Sequence, residues 1–103
     1  MNLSKETLNS MIEKIQRNAD MFYQQNKQEA FDLFGNLIND ISELSAQIFA
    51  WKNTNPASDF DETKYLSVLT EAMNALEAKD EVLLADILNY DLTEIYETIQ
   101  KQL

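Results

Sequence analysis

Apolar residues recur every three or four positions along almost the whole of this 103-residue chain. One set is Leu8, Ile12, Ile15, Ala19 and Phe22. A second is Ala30, Phe34, Leu37, Ile41, Leu44 and Ile48. Later sets are Leu66, Leu69, Met73 and Leu76, then Leu84, Leu88, Leu92, Ile95 and Ile99. This rhythm places each set on one face of a helix, and it is the rhythm of helices packed antiparallel. No stretch alternates with period two for long enough to form a strand, so the chain reads as all-α.

Phase locates the breaks. Continued past Phe22, the first stripe lands on Asn26, Glu29, Leu33, Asn36, Asp40 and Glu43, which are mostly polar. The second stripe is rotated from it by about 80° at 100° per residue. A turn at residues 24–27 restores a continuous seam. Asn26 with Glu29 has the form of a capping box there. Ser4, with Leu3 and Leu8 as a hydrophobic staple, caps the first helix. Residues 53–61 form a linker, in which Pro56 disfavours helix at Asn55. Ser58 or Asp59 is placed to cap the third helix, and Asp80, followed by Glu81, the fourth. A second phase slip, between Leu76 and Leu84, calls for a tight turn at residues 78–80. The expected fold is an antiparallel up-down four-helix bundle of two helical hairpins, a single domain over residues 1–103 with helices near 4–24, 27–52, 60–78 and 81–102.

Composition removes whole classes of chemistry. There is no Cys and no His, one Gly and one Pro. A thiolate or imidazole metal site, a Cys nucleophile and a Ser-His-acid triad are therefore impossible. Glycine-rich phosphate loops need more Gly than Gly35 alone. Asp59, Asp61 and Glu62 lie close together but lack the Gly and distal Glu of a calcium loop. No catalytic residue, cofactor site or metal site is expected. Eight basic residues against 18 acidic ones give a net charge of -10, which disfavours nucleic acid and anionic membranes. The longest apolar runs, residues 48–51 and 82–85, are four residues each, against roughly 20 for a span. The start carries no apolar signal core, and the cytoplasm is the expected compartment.

Three features invite a functional reading. The second helix has an apolar arc of about 160°, from Leu33 and Trp51 round to Phe31 and Phe49. Either that helix forms the centre of the core or part of its arc meets a second subunit, and Gly35 at its edge could admit a close neighbour. With Val82 and Tyr96 outside the main seam of the fourth helix, this favours a homodimer. Charge is the second feature. Residues 1–30 are balanced, and the whole acidic excess lies in residues 31–103. That excess is a solvated face, a docking surface for a basic partner or a mimic of nucleic-acid charge.

The third is Asp91, which an ideal wheel places within about 20° of Leu84, inside the apolar seam. It reads as a second cap paired with Glu94, as a core hydrogen-bond acceptor for Tyr65, Ser45, Asn74 or Arg17, or as a ligand-binding or catalytic acid. Asp86 and Tyr90 share a helix face at i, i+4. Together Asp86, Tyr90 and Asp91 are the candidate partner-binding or structural polar site.

Residues 72–92, AMNALEAKDEVLLADILNYDL, carry Asp80 in a turn, then Leu-x-Ala-Asp-Ile-Leu-x-Tyr-Asp-Leu. This resembles a pattern in small uncharacterised bacterial helical-bundle proteins, on Asp80, Asp86, Tyr90 and Asp91. The resemblance covers about a fifth of the chain and implies a helical bundle with no activity to transfer. The expected function is accordingly non-enzymatic protein binding, as a chaperone, adaptor or regulator. The alternative is a small acidic inhibitor or antitoxin-like protein that occludes a basic surface.

Overall fold

A computed structural model describes residues 3–103; Met1 and Asn2, the first two residues of the expected domain, lie outside the described residues. The described residues are helical, without strands: α1 (Lys5–Tyr23), α2 (Lys27–Thr54), α3 (Glu62–Glu77), α4 (Glu81–Asp86), a π-helical segment (Ile87–Leu92) and α5 (Thr93–Gln100). Helical dihedrals at Ile87 and Thr93 join the last three into one rod, so the described residues form four rods. The 28 residues of α2 span about 42 Å at 1.5 Å per residue, which sets the 40 Å long axis of the molecule.

The ends of the rods follow local chemistry. The Ser4 side chain accepts from the Thr7 amide, and Asp80 accepts from that of Leu83. The third helix is capped by Asp61, which accepts from the Lys64 amide, and not by Ser58 or Asp59. Phe60 is drawn into the core, so the third helix starts at Glu62, two residues later than expected. Lys52 and Gln102 hold that linker: Lys52 donates to the carbonyls of Pro56 and Ser58, and Gln102 exchanges two hydrogen bonds with the Asp59 backbone.

The turn at residues 24–26 lies where the phase slip demands it, but Asn26 makes no side-chain cap. Its backbone is committed instead. Gln25 is left-handed (φ 63°) and donates to the Phe22 carbonyl, while the Asn26 amide donates to that of Met21. This is a Schellman closure, which usually employs Gly at the left-handed position. The end of α3 repeats it with Lys79 (φ 56°), whose amide bonds the Leu76 carbonyl, and with Asp80, whose amide bonds that of Ala75. A Lys27–Glu81 ion pair at 3.0 Å ties the helices that follow the two turns.

α1 is the hub. It packs against α2, α4, the π segment and α5, whereas α3 packs against α4 and the π segment. Leu8, Ile15 and Ala19 are fully buried along it. α2 is therefore not the centre of the core. It buries Ala30, Phe34, Leu37, Ile41, Leu44 and Ile48, and leaves Phe31, Leu33, Ile38, Phe49 and Trp51 partly covered. Gly35 admits no close neighbour within the chain: a Cβ there would meet nothing within 4 Å.

The π segment corrects the reading of Asp91. Leu84, Leu88 and Leu92 are spaced four and four, so an ideal α-helix would rotate them apart by about 80°. The wider π turn absorbs that drift, and all three are fully buried. The Thr93 hydroxyl fills a carbonyl of the widened turn by donating to Leu88 at 2.8 Å. The same adjustment carries Asp91 out of the seam into solvent, and neither the π segment nor α5 has a side-chain cap. Asp91 is thus neither a core acceptor nor a cap.

Three substitutions test these assignments through urea midpoints. Gly35→Ala is expected to stabilise by about 1 kcal/mol, since an exposed helical Gly carries only its entropy penalty. Gln25→Gly should stabilise by about 1 kcal/mol by relieving the left-handed backbone. Asp91→Ala should stay within about 0.5 kcal/mol of the parent, and a loss above about 2 kcal/mol would restore a structural role for it.

Candidate protein-docking groove

α2 and α3 both lean on other helices, so little of either is spent on the other. Between them lies an apolar groove of about 300 Å³. Phe34, Ile38 and Ile41 of α2 form one wall, and Leu69 and Met73 of α3 the other. Leu88 and Leu92 of the π segment form its floor. Helical spacing explains the lining. Ile38, Ser42 and Ser45 follow one another at steps of four and three on the outer part of the α2 arc, and Leu66, Leu69 and Met73 do so on α3. Met73 is 42% exposed and Leu66, two turns before it on the same α3 face, is 48% exposed. The wide arc of the second helix thus has its outer part on an open seam.

Behind the Ser45 edge of the groove runs a chain of hydroxyls, half-buried at Ser45 and buried at Tyr65 and Tyr96. Ser45 Oγ donates to the Ile41 carbonyl at 2.7 Å, which commits its only proton. Tyr65 therefore donates to Ser45 at 2.7 Å, and Tyr96 donates to Tyr65 at 2.9 Å. Burial pushes the phenol pKa of Tyr65 up, partly opposed by its hydrogen bonds with Ser45 and Tyr96. Burial, followed by the charge and hydrogen bond of Tyr65, raises that of Tyr96 well above the ordinary phenol value. The rings of Phe49, Phe60 and Tyr96 each pack edge-on or tilted near Tyr65, with centroids 5.7–6.1 Å away. Tyr65 and Ser45, considered above as donors to Asp91, bond each other instead. Tyr96, read as lying outside the seam, is fully buried in the chain's own core.

The candidates Asp86 and Tyr90 fall on a different face. Asp86 accepts a hydrogen bond from the Tyr23 hydroxyl, which links the end of α4 to the end of α1. Partial burial, then the hydrogen bond and charge of Asp86, with smaller effects of Tyr90 and Asp20, push the Tyr23 pKa up to about 12. Tyr23 is 40% and Tyr90 62% exposed, so this is a surface staple beside an open aromatic ring. Asp91 contributes no hydrogen bond to it. Two buried polar residues, Asn18 and Thr93, escaped the sequence reading. Asn18 donates to the Ala30 carbonyl at 2.9 Å and clasps α1 to α2. Its position, three after Ile15 and four before Phe22, was the available signal.

Among the described residues, no cluster of three or more acidic groups could hold a metal ion, and no helix is long and apolar enough to cross a membrane. A family model described as a domain of unknown function, DUF8042, matches residues 1–102. The chain belongs to that family. No curated protein and no solved structure matches it. The family match takes in all four rods and every residue of the groove.

The tyrosines provide two tests. Tyr65→Phe leaves the buried Tyr96 proton without an acceptor and should lower stability by about 1–3 kcal/mol; Tyr96→Phe, at the end of the chain, should cost less, about 1 kcal/mol. Equal losses in urea would contradict the one-way chain. All three raised phenols are held neutral by the fold, so their stabilisation is complete below the unfolded value near pH 10 and is lost as pH rises through the folded values, about 12 for Tyr23. The stability difference between the parent and Tyr23→Phe should therefore shrink above about pH 10. A difference that grows there would reverse the sign of the argument.

Proposed function

We propose that this protein is a non-enzymatic, cytoplasmic protein-binding module, a chaperone, adaptor or regulator. In this reading its scaffold is an antiparallel up-down four-helix bundle with one seam held open. The observation that carries the reading is the α2–α3 groove: apolar walls and floor, with Met73 exposed on its α3 edge and Leu66 exposed two turns earlier on the same α3 face. Such a groove takes the apolar face of a partner helix. The absence of His and Cys agrees with a role in binding rather than covalent chemistry.

A second reading, a small acidic inhibitor that covers a basic surface, is favoured by the concentration of all ten excess acids in residues 31–103. The two differ in which contacts hold the partner. For a homodimer, Val82 remains exposed while Tyr96 is used internally, so one of the two supports on the last rod is spent.

The test is capture of a partner by the tagged protein, compared with the double variant Leu66→Gln, Met73→Gln. Both residues are exposed, so the variant should unfold within about 0.5 kcal/mol of the parent. It is expected to lose capture by at least about tenfold. Capture that survives the double variant but is abolished by high salt would replace the groove with the acidic-inhibitor reading.

A further inference from the structure

Resting on the groove reading above, we infer that its occupant is a basic amphipathic helix of another protein, and not a second copy of this chain. The apolar strip from Leu66 to Met73 is about 10 Å long, or two helical turns. A helix lying along it would insert apolar anchors spaced i, i+4, i+7. On α3 the exposed Glu62 stands four residues before Leu66, and the exposed Glu77 four after Met73. Both therefore share the strip's face, one at each end, about 22 Å apart.

Lysines near these ends are engaged within the chain. Lys79 lies over the Phe31 ring at 5.0 Å, and Lys52 donates to the carbonyls of Pro56 and Ser58. Lys64 is turned about 140° away from Leu69. α2 itself contributes no charged side chain to its rim: Gly35, Asn39, Ser42 and Ala46 follow one another at steps of four, three and four. Gly35 has open space where a side chain would stand, although no contact inside the chain requires it. The groove is thus apolar along its length, with no charged side chain of α2 on one rim and a carboxylate at each end of the other.

A second copy fits this pattern poorly. A two-fold contact uses the same patch on both chains. Antiparallel pairing of the two α3 faces would set Glu62 beside Glu77 twice, between chains that each carry a net charge of -10. A helix with Lys or Arg flanking its apolar anchors meets the same carboxylates with opposite charge. Exposed pairs of this kind steer and select more than they bind, while the apolar anchors hold the complex.

The experiment uses the whole protein and two synthetic amphipathic helices of about five turns. They share a Leu/Ile face; one carries Lys on the polar face and the other Glu. Fluorescence anisotropy is expected to show the Lys helix binding at least about tenfold more tightly than its Glu twin. Glu62→Gln with Glu77→Gln should weaken the Lys helix more than Glu6→Gln with Glu13→Gln, which removes the same charge from α1. Leu66→Gln with Met73→Gln should abolish binding, and the protein alone should sediment as one chain. Equal binding of the two helices, or equal effects of the two Glu pairs, would overturn the basic partner and leave the groove standing. Binding of neither helix, or binding indifferent to Leu66→Gln with Met73→Gln, would overturn the groove as well. A dimer that the same pair dissociates would make a second copy the occupant and overturn the inference.

Discussion

α1 packs against α2 on one side and the α4–π–α5 rod on another, and this shared use of one helix organises the molecule. A helix with side chains is about 10–12 Å across, so only a limited number of neighbours can reach its buried stripe. α3 is left to pack on the last rod, away from α1. The consequence is geometric. α2 and α3 are held by different partners, and the seam between them is closed only by what they project across it. Those projections stop short around Ile38, Leu69 and Met73, and the groove is what remains.

The π segment makes this arrangement possible. The last rod must serve α1 and α3 at once, and a regular helix with leucines at 84, 88 and 92 would have turned its apolar face steadily away from them. One widened turn returns Leu92, Thr93 and Tyr96 to the interior. It also sends Asp91 outward and places Leu88 and Leu92 as the floor of the groove. The segment Leu83-Leu84-Ala85-Asp86-Ile87-Leu88-Asn89-Tyr90-Asp91-Leu92 is thus the stretch where the rod changes pitch.

Buried polar groups register the rods against one another. An apolar stripe alone lets helices slide by a turn at small cost, whereas a buried donor must find its acceptor. Asn18 to the Ala30 carbonyl sets α1 against α2. The Tyr96, Tyr65 and Ser45 hydroxyls set α5, α3 and α2 in one line. This line joins α2 to α3 across the seam that is otherwise thinly packed, and does so beside the groove.

Helical class, the stripes, the turn near residue 25 and the caps at Ser4 and Asp80 could be read from the sequence, because each depends on residues within about one or two turns of one another. The acidic imbalance was equally plain. Tertiary structure decided the rest. Gln25 and Lys79 adopt left-handed backbone without Gly because helices on both sides over-determine the turn. Asp91 was misplaced because a wheel assumes 100° per residue, and only packing of Leu84, Leu88 and Leu92 against two neighbours selects the wider turn. The hydroxyl chain joins residues 20 and 31 positions apart, which no local pattern signals. The open seam belongs to this second group: a stripe says that a helix face seeks cover, while the choice of which neighbour supplies it, and where it runs short, is made only when all four rods share one core.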